Sequence, residues 1–251
     1  MRFLLFILLA TLLPGAADLT GNIVMYSPTL DYNLQYRVYT PPDMQPGDEL
    51  PVLYVADGQW YIEEGDMPAL MDSMIANAAI EPVIAVFIDN RNPDFLRENR
   101  RARQFFCNEK YIRFVKDELV PVIDRDYPTA ATAESRTMLG LSFGGLNAAC
   151  FGLHAHDSFG GIAMQSPAMH PVPTIWQAYE DSTRLPLKVF LSSGDRQDNE
   201  ARTRRLRDIL QAKDYPMQYL EVPFGHSWEN WGPLLDDVLT WFYAPTAAGQ
   251  P

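Results

Sequence analysis

A single serine stands between two glycines in Met138-Leu-Gly-Leu-Ser-Phe-Gly-Gly-Leu-Asn-Ala-Ala-Cys150, where an apolar run meets a run of small residues. A strand that turns sharply into a helix has a crowded corner. Glycines two positions before and after the corner residue remove the Cβ atoms that would clash there, and Gly140-x-Ser142-x-Gly144 is that pattern. Its known use is to hold a strained nucleophile in the open. The pattern alone also arises by chance in a chain of this length, so its chemical partners have to be found. A serine hydroxyl is a poor nucleophile at neutral pH. It needs a base, usually His, which needs a carboxylate to fix its tautomer.

With the nucleophile on such a corner, the acid and then the histidine must follow it, each on a loop just after a strand. The chain has four histidines. His154 and His156 lie near the end of the helix leaving the corner, too close in sequence to fold back onto Ser142, and His170 precedes every plausible acid strand. His226, in Val222-Pro-Phe-Gly-His-Ser-Trp228, follows a strand late in the chain and is the expected base. The acid is expected after the strand Val189-Phe-Leu-Ser-Ser-Gly194, in Asp195-Arg-Gln-Asp198-Asn-Glu200. Asp198, deeper in that loop, is preferred over Asp195, which is near enough to the strand to serve the turn, and over Glu200. Asp198 or Asn199 could equally be a plain helix cap. Two backbone N–H groups should receive the developing oxyanion: that of Phe143, next to the nucleophile, and one from the loop after the third strand, Pro51-Val-Leu-Tyr-Val-Ala-Asp-Gly-Gln-Trp60, assigned here to Gln59. Gly58 at the mouth of that strand would let the backbone approach a substrate, and Asp57 is read as bracing the loop.

The elements that must position these residues are legible as an alternation of apolar strand-like runs and helical patterns. Strands are expected at Ile23 to Tyr26, Leu34 to Tyr39, Val52 to Ala56, Val83 to Asp89, Thr137 to Leu141, Gly161 to Gln165, Lys188 to Ser192 and Gln218 to Val222. The later runs are short and nearly all apolar, as buried parallel strands should be. Tyr111, Phe114, Val115, Leu119 and Val122 recur at helical spacing, as do Leu206, Ile209 and Leu210, and Gly232 to Phe242 reads as a C-terminal helix. The expected fold is α/β, a mostly parallel central sheet of about eight strands flanked by helices. Pro167 to Pro186, with His170, Trp176 and Tyr179, has no clear pattern and is the candidate loop or small cap over the site.

Composition bounds the rest. The 251 residues, 47% hydrophobic, suffice for one sizeable core. Residues 1–17 read as a secretory signal peptide: a basic position at Arg2, an apolar run from Phe3 to Leu13, then small residues up to Ala17. That run is shorter than the ~20 residues of a membrane-spanning helix. Residues 18–251 then form a single exported domain, periplasmic or secreted, without stable membrane insertion. The formal charge of −12 argues against nucleic acid and against anionic membrane surfaces as partners. Two cysteines, Cys107 and Cys150, make neither a metal framework nor a disulfide scaffold. Export permits one bridge, but the place of Cys150 on the helix after the corner favours a buried free thiol. Basic residues cluster at Arg97, Arg100, Arg101 and Arg103 and again at Arg202, Arg204, Arg205 and Arg207; the second group reads as a solvated helix face.

Taken together, the chain resembles the esterase family of α/β-hydrolases that includes the enterochelin esterases, esterase D and the secreted mycolyltransferases. The resemblance is carried by Val55-Ala-Asp-Gly-Gln59, Lys116-Asp-Glu-Leu-Val-Pro121, Gly140-Leu-Ser-Phe-Gly-Gly145 and Gly225-His-Ser-Trp228 with Trp231, and it covers most of the chain after residue 17. It implies an α/β-hydrolase fold and a serine carboxylic-ester hydrolase that acts on a small-molecule ester through an acyl-serine intermediate, with no metal or organic cofactor. In similar relatives an Asp four residues after a Gly carries the acid, which here is Asp198. Asn99-Arg-Arg-Ala-Arg-Gln-Phe-Phe-Cys-Asn108 looks like the family's Arg-Glu-Leu-x-Pro-Asn stretch, with Gln104 in place of Glu and Cys107 in place of Pro, so the resemblance does not by itself imply siderophore specificity. Arg103 is left with two readings, a substrate-orienting residue and a structural ion pair; Trp60 and Trp176 are the aromatic candidates for substrate contact. The alternatives are an acyltransferase of the mycolyltransferase kind, favoured if the segment around Trp176 excludes water, a carbohydrate or feruloyl-type esterase, and a non-catalytic binding protein on the same scaffold. A complete Ser, His and acid set argues against the last.

Overall fold

A computed structural model of the chain describes residues 17–45 and 47–245; the expected signal segment lies outside them save for Ala17. The central sheet contains β1 (Asp18–Leu19), β2 (Ile23–Ser27), β3 (Tyr32–Thr40), β4 (Val52–Ala56), β5 (Ile84–Asp89), β8 (Arg136–Leu141), β9 (Gly161–Gln165), β10 (Lys188–Gly194) and β11 (Met217–Val222). A small hairpin, β6 (Arg91–Asn92) and β7 (Phe95–Asn99), stands apart from it. The spatial order is β1-β3-β5-β4-β8-β9-β10-β11, with β2 also on β3. From β5 to β11 all neighbours are parallel, and β1, β2 and β5 each pair antiparallel with β3. All eight expected strands are present. The strands beyond these are β1 and the two of the hairpin: β1 and β6 are only two residues long and β7 is exposed throughout, so none carries a hydrophobic period.

Alternation along the buried strands divides the core into two. Val52, Tyr54 and Ala56 face one side with Ile84, Val86, Ile88 and Met138, while Leu53 and Val55 face the other with Ala85, Phe87, Leu139 and Leu141. The second face is covered by α1 (Gly58–Glu63), α2 (Met67–Ala76), α9 (Trp228–Trp231) and α10 (Leu235–Tyr243). The first carries α3 (Arg101–Phe105), α4 (Glu109–Arg113), α5 (Val120–Asp126), α6 (Phe143–His154), α7 (Ile175–Asp181) and α8 (Glu200–Ala212). A π-helical turn, Phe114–Leu119, joins α4 to α5 just before Pro121, which has no N–H to donate to the ordinary ladder. No helix among the described residues is long and apolar enough to cross a membrane.

Cys107 and Cys150 are joined in a disulfide, against the expectation of a free thiol. Cys150 is buried on α6 as expected. Its partner Cys107 stands at a left-handed position (φ 49°) just after α3, with its Cα 5.1 Å from that of Cys150. The bridge closes a sequence separation of 43 residues. In the chain-entropy description a loop of that length is worth about 4 kcal/mol. Replacing both cysteines with serine is expected to lower the unfolding free energy by roughly that amount, read as a drop in urea midpoint that reductant reproduces in the native chain. Equal midpoints with and without reductant would show that the bridge carries no stability.

Candidate active site

The parallel register brings the C-terminal ends of the strands to one edge of the sheet, where ligand sites of open α/β sheets form. Leu141 lies beside Gln165, Gln165 beside Ser192, and Gly194 beside Val222, so the residues after β8, β9, β10 and β11 emerge side by side. Ser142 sits at the strand-to-helix corner with φ 55° and ψ −116°, a conformation that costs a non-glycine residue about 1–3 kcal/mol. Its N–H is held by the Gln165 carbonyl at 2.8 Å. The flanking glycines are there for steric reasons: a Cβ on Gly140 would stand 2.3 Å from the Gly144 backbone, and one on Gly144 would stand 3.0 Å from Asp57 Oδ2.

His226 Nε2 lies 2.9 Å from Ser142 Oγ, and His226 Nδ1 lies 2.5 Å from Asp198 Oδ1. A carboxylate only accepts, so Nδ1 carries the proton and Nε2 is left to accept from the serine hydroxyl. The Trp231 ring meets the imidazole edge to face at 4.8 Å. Asp198 Oδ2 accepts from the Gly194 N–H at 2.6 Å, Ser166 Oγ at 2.5 Å, Asn230 Nδ2 at 3.0 Å and Ser193 Oγ at 3.2 Å. Burial pushes the Asp198 carboxyl up, but hydrogen bonds from His226, Ser166 and the Gly194 and Asn199 backbone outweigh it and hold the group at about 2. Trp231 Nε1 and Asn230 Nδ2 also donate to Ser166 Oγ. Ser166, Asn230 and Trp231 thus form a cradle for the carboxylate that sequence reading missed. The available signal for Ser166 was its place just past β9, and for Asn230 its place four residues after His226. Asp195 is exposed, with Arg196 as its ion-pair partner at 3.7 Å, and Glu200 accepts from the Asp198 N–H.

Phe143 opens α6, so its N–H belongs to the first helical turn, where no intrahelical acceptor exists. Gln59 likewise lies in the first turn of α1; its side chain is buried and bonded to Asn90. Gly58 also has a packing reason. A Cβ there would be 2.5 Å from the Phe87 backbone, so the glycine lets α1 sit against β5. Asp57 does brace this loop: it is fully buried, in a left-handed conformation (φ 59°), and Arg101 donates to both its oxygens at 2.8 and 2.9 Å. Burial pushes the Asp57 carboxyl up to about 6, with the Arg101 charge opposing.

An open cleft of about 460 Å³ surrounds Ser142 and His226, walled by Trp60, Trp228, Trp231, Leu141, Glu64 and Arg101. Trp60 is where it was expected. Arg103 is not among the lining residues: its guanidinium lies over the Tyr32 ring at 4.9 Å, and Arg101 occupies the cleft instead. Residues two apart on a helix point in nearly opposite directions, so the two could not share the task. Trp176 is also placed elsewhere, buried on α7 under Arg205 at 5.0 Å, while Tyr179 donates to the Ala149 carbonyl on α6. The segment from Pro167 to Pro186 therefore packs α7 into the core and forms no cap over the cleft. It meets the site through the Ala168 N–H, which donates to the Ser142 carbonyl at 2.9 Å, and through His170, whose ring centre lies 5.7 Å from that of Phe143.

Comparison with known proteins follows the same lines. A family model described as "Putative esterase" matches residues 27–242. The chain is 26% identical to the uncharacterized protein YjcH of Bacillus subtilis, over 85% of this chain and 93% of that one. It is 25% identical to an iron(III) enterobactin esterase of Dickeya dadantii, over 94% of this chain but 58% of the longer enzyme. A solved enterobactin esterase of Shigella flexneri superposes with a TM-score of 0.80 at 22% identity, covering 88% of this chain and 58% of that one. At that identity the likeness is one of fold, that of the α/β-hydrolases.

Proposed function

Because the chain belongs to the family described as "Putative esterase" and is an esterase, we propose that it cleaves small-molecule carboxylic esters through an acyl-serine intermediate carried by Ser142, His226 and Asp198. The observation that carries this reading is the unbroken hydrogen-bonded line from Ser142 Oγ through the imidazole to Asp198, at 2.9 and 2.5 Å.

Ser142 Oγ attacks the ester carbonyl carbon as His226 Nε2 takes its proton. The imidazolium that forms is held by the ionised Asp198. The carbonyl oxygen becomes an oxyanion that accepts from the Phe143 and Gln59 N–H groups, where one donor is typically worth about 3 kcal/mol. As the tetrahedral species collapses, His226 Nε2–H returns the proton to the departing alkoxide. Water then attacks the acyl carbonyl as His226 takes its proton, and collapse of this second tetrahedral species releases the acid while His226 returns that proton to Ser142 Oγ. Water reaches this open cleft without hindrance from Trp176, which favours hydrolysis over transfer to a second alcohol. The protein acts outside the cytoplasm in this reading, supported by the character of residues 1–17 and by the Cys107–Cys150 bridge, a bond of oxidising compartments.

The test is turnover of p-nitrophenyl esters from acetate to decanoate, with acid-quenched samples weighed as intact protein. The expected result is hydrolysis together with an acyl mass increment that maps to the peptide holding Ser142. Turnover without any adduct, under conditions where deacylation limits the rate, would sink the covalent route. No turnover across the series and no labelling by a fluorophosphonate would sink the hydrolase reading of this site.

A further inference from the structure

One ion pair at the cleft has no part in the proton transfers above. Arg101 Nε and Nη2 bind the two oxygens of Asp57, which is buried beneath the loop that leads into Gln59. Asp57 Oδ2 also lies against Gly144, near enough that a Cβ there would stand 3.0 Å from it. The carboxylate is thus wedged between the two loops that carry the proposed oxyanion donors. The guanidinium itself spans the same gap: its carbon lies 4.8 Å from the ring centre of Trp60, the neighbour of Gln59, and 5.3 Å from that of Phe143. On the far side α3 is anchored. The Arg101 N–H donates to Asn99 Oδ1, Phe106 packs edge to face on Phe143 at 4.9 Å, and Cys107 is bonded to Cys150 on α6.

From this arrangement we infer that Arg101 is a positioning residue that fixes the distance between the Gln59 and Phe143 N–H groups, and thereby tightens the oxyanion site in the transition state. The inference rests on the oxyanion assignment proposed above. A guanidinium is suited to this task because it is planar: it binds both carboxylate oxygens in one plane and stacks on rings above and below it. Lysine keeps the charge but does neither. Displacing a catalytic donor by about an ångström is enough to cost about 100-fold in rate.

The test is kcat per active site, with active sites counted by fluorophosphonate titration of Ser142. Arg101→Lys and Arg101→Ala are each expected to lower kcat about 10- to 100-fold, with KM within about twofold. A trifluoromethyl ketone, which forms a tetrahedral adduct, is expected to lose affinity in parallel with kcat/KM. Added guanidinium ion at tens of millimolar is expected to restore Arg101→Ala several-fold. Arg101→Ala leaves the buried Asp57 unpaired, so the neutral pair Asp57→Asn with Arg101→Gln is measured beside it and is expected to show the same loss if the single variant unfolds. A purely structural ion pair predicts something else: fewer titratable sites and a lower Tm, but an unchanged kcat per titrated site. That result, or a rise in KM alone, would overturn the inference while leaving the reading of Ser142 intact. Failure of the wild-type protein itself to label or turn over would instead count against the hydrolase reading.

Discussion

Ser142→Ala is expected to lower kcat by on the order of 10⁴- to 10⁶-fold and to leave the fold essentially unchanged. The substitution removes one oxygen, the group that would form the covalent bond, together with its hydrogen bond to His226 Nε2. The corner keeps its shape, because it is set by the absence of Cβ atoms at Gly140 and Gly144 and by the bond from residue 142 N–H to the Gln165 carbonyl, none of which involves the hydroxyl. Alanine is as strained as serine at this φ, so the melting temperature should move by only a few degrees. The residual rate should be that of a site that binds and polarises the ester without attacking it. Kinetics on purified protein, with circular dichroism melts of both forms, decide the matter. A variant that is folded and within tenfold of the wild type would remove Ser142 from the chemistry.

The second large effect is expected from Asp198→Asn, a loss of about 10⁴-fold in kcat with little change in KM. The reason lies in the partners of the two carboxylate oxygens. Four donors, from Gly194, Ser166, Asn230 and Ser193, converge on Oδ2, so an amide placed there must present its oxygen to them and its nitrogen to His226. An N–H facing Nδ1 demands the other imidazole tautomer, with the proton on Nε2, and that nitrogen then cannot take the serine proton. The same residue links activity to acid stability. Its folded-state value of about 2 lies below the 3.8 of a free aspartate, so its contribution is fully present above about pH 4 and is lost as pH falls through 2. The shift corresponds to roughly 2 kcal/mol. In melts between pH 6 and pH 2, the stability gap between wild type and Asp198→Asn is expected to narrow across the acid end of that range. A gap that stays constant to pH 2 would mean that Asp198 contributes nothing through ionisation.

The parts of the site that were legible in the sequence are those written in local sterics or in chain order. Ser142 followed from glycines spaced to relieve one corner, His226 from its place after the last strand, and the strands from short apolar runs that need no distant partner to be recognised. Asp198 was legible as a preference. Its rivals Asp195 and Glu200 lie within three residues of it, and what separates them is a distance to His226 that depends on how β10 lies beside β11.

The remainder was decided by tertiary structure, because it depends on through-space approach between segments far apart in the chain. A run of arginines holds no record of which one faces inward; the orientation of α3 against Trp60 and Phe143 sends Arg101 to the cleft and Arg103 to Tyr32. Trp176 is an amphipathic helix's core residue once α7 packs on α6 and α8, and only that packing withdraws it from the site. The bond between Cys107 and Cys150 and the cradle of Ser166, Asn230 and Trp231 around Asp198 likewise join residues from different loops. By itself the sequence singled out Ser142, His226 and Asp198 as the candidate nucleophile, base and acid, together with the elements that hold them. The folded chain decided which neighbours tune those atoms, since a pattern along one dimension constrains its own backbone but not the distances between strand ends.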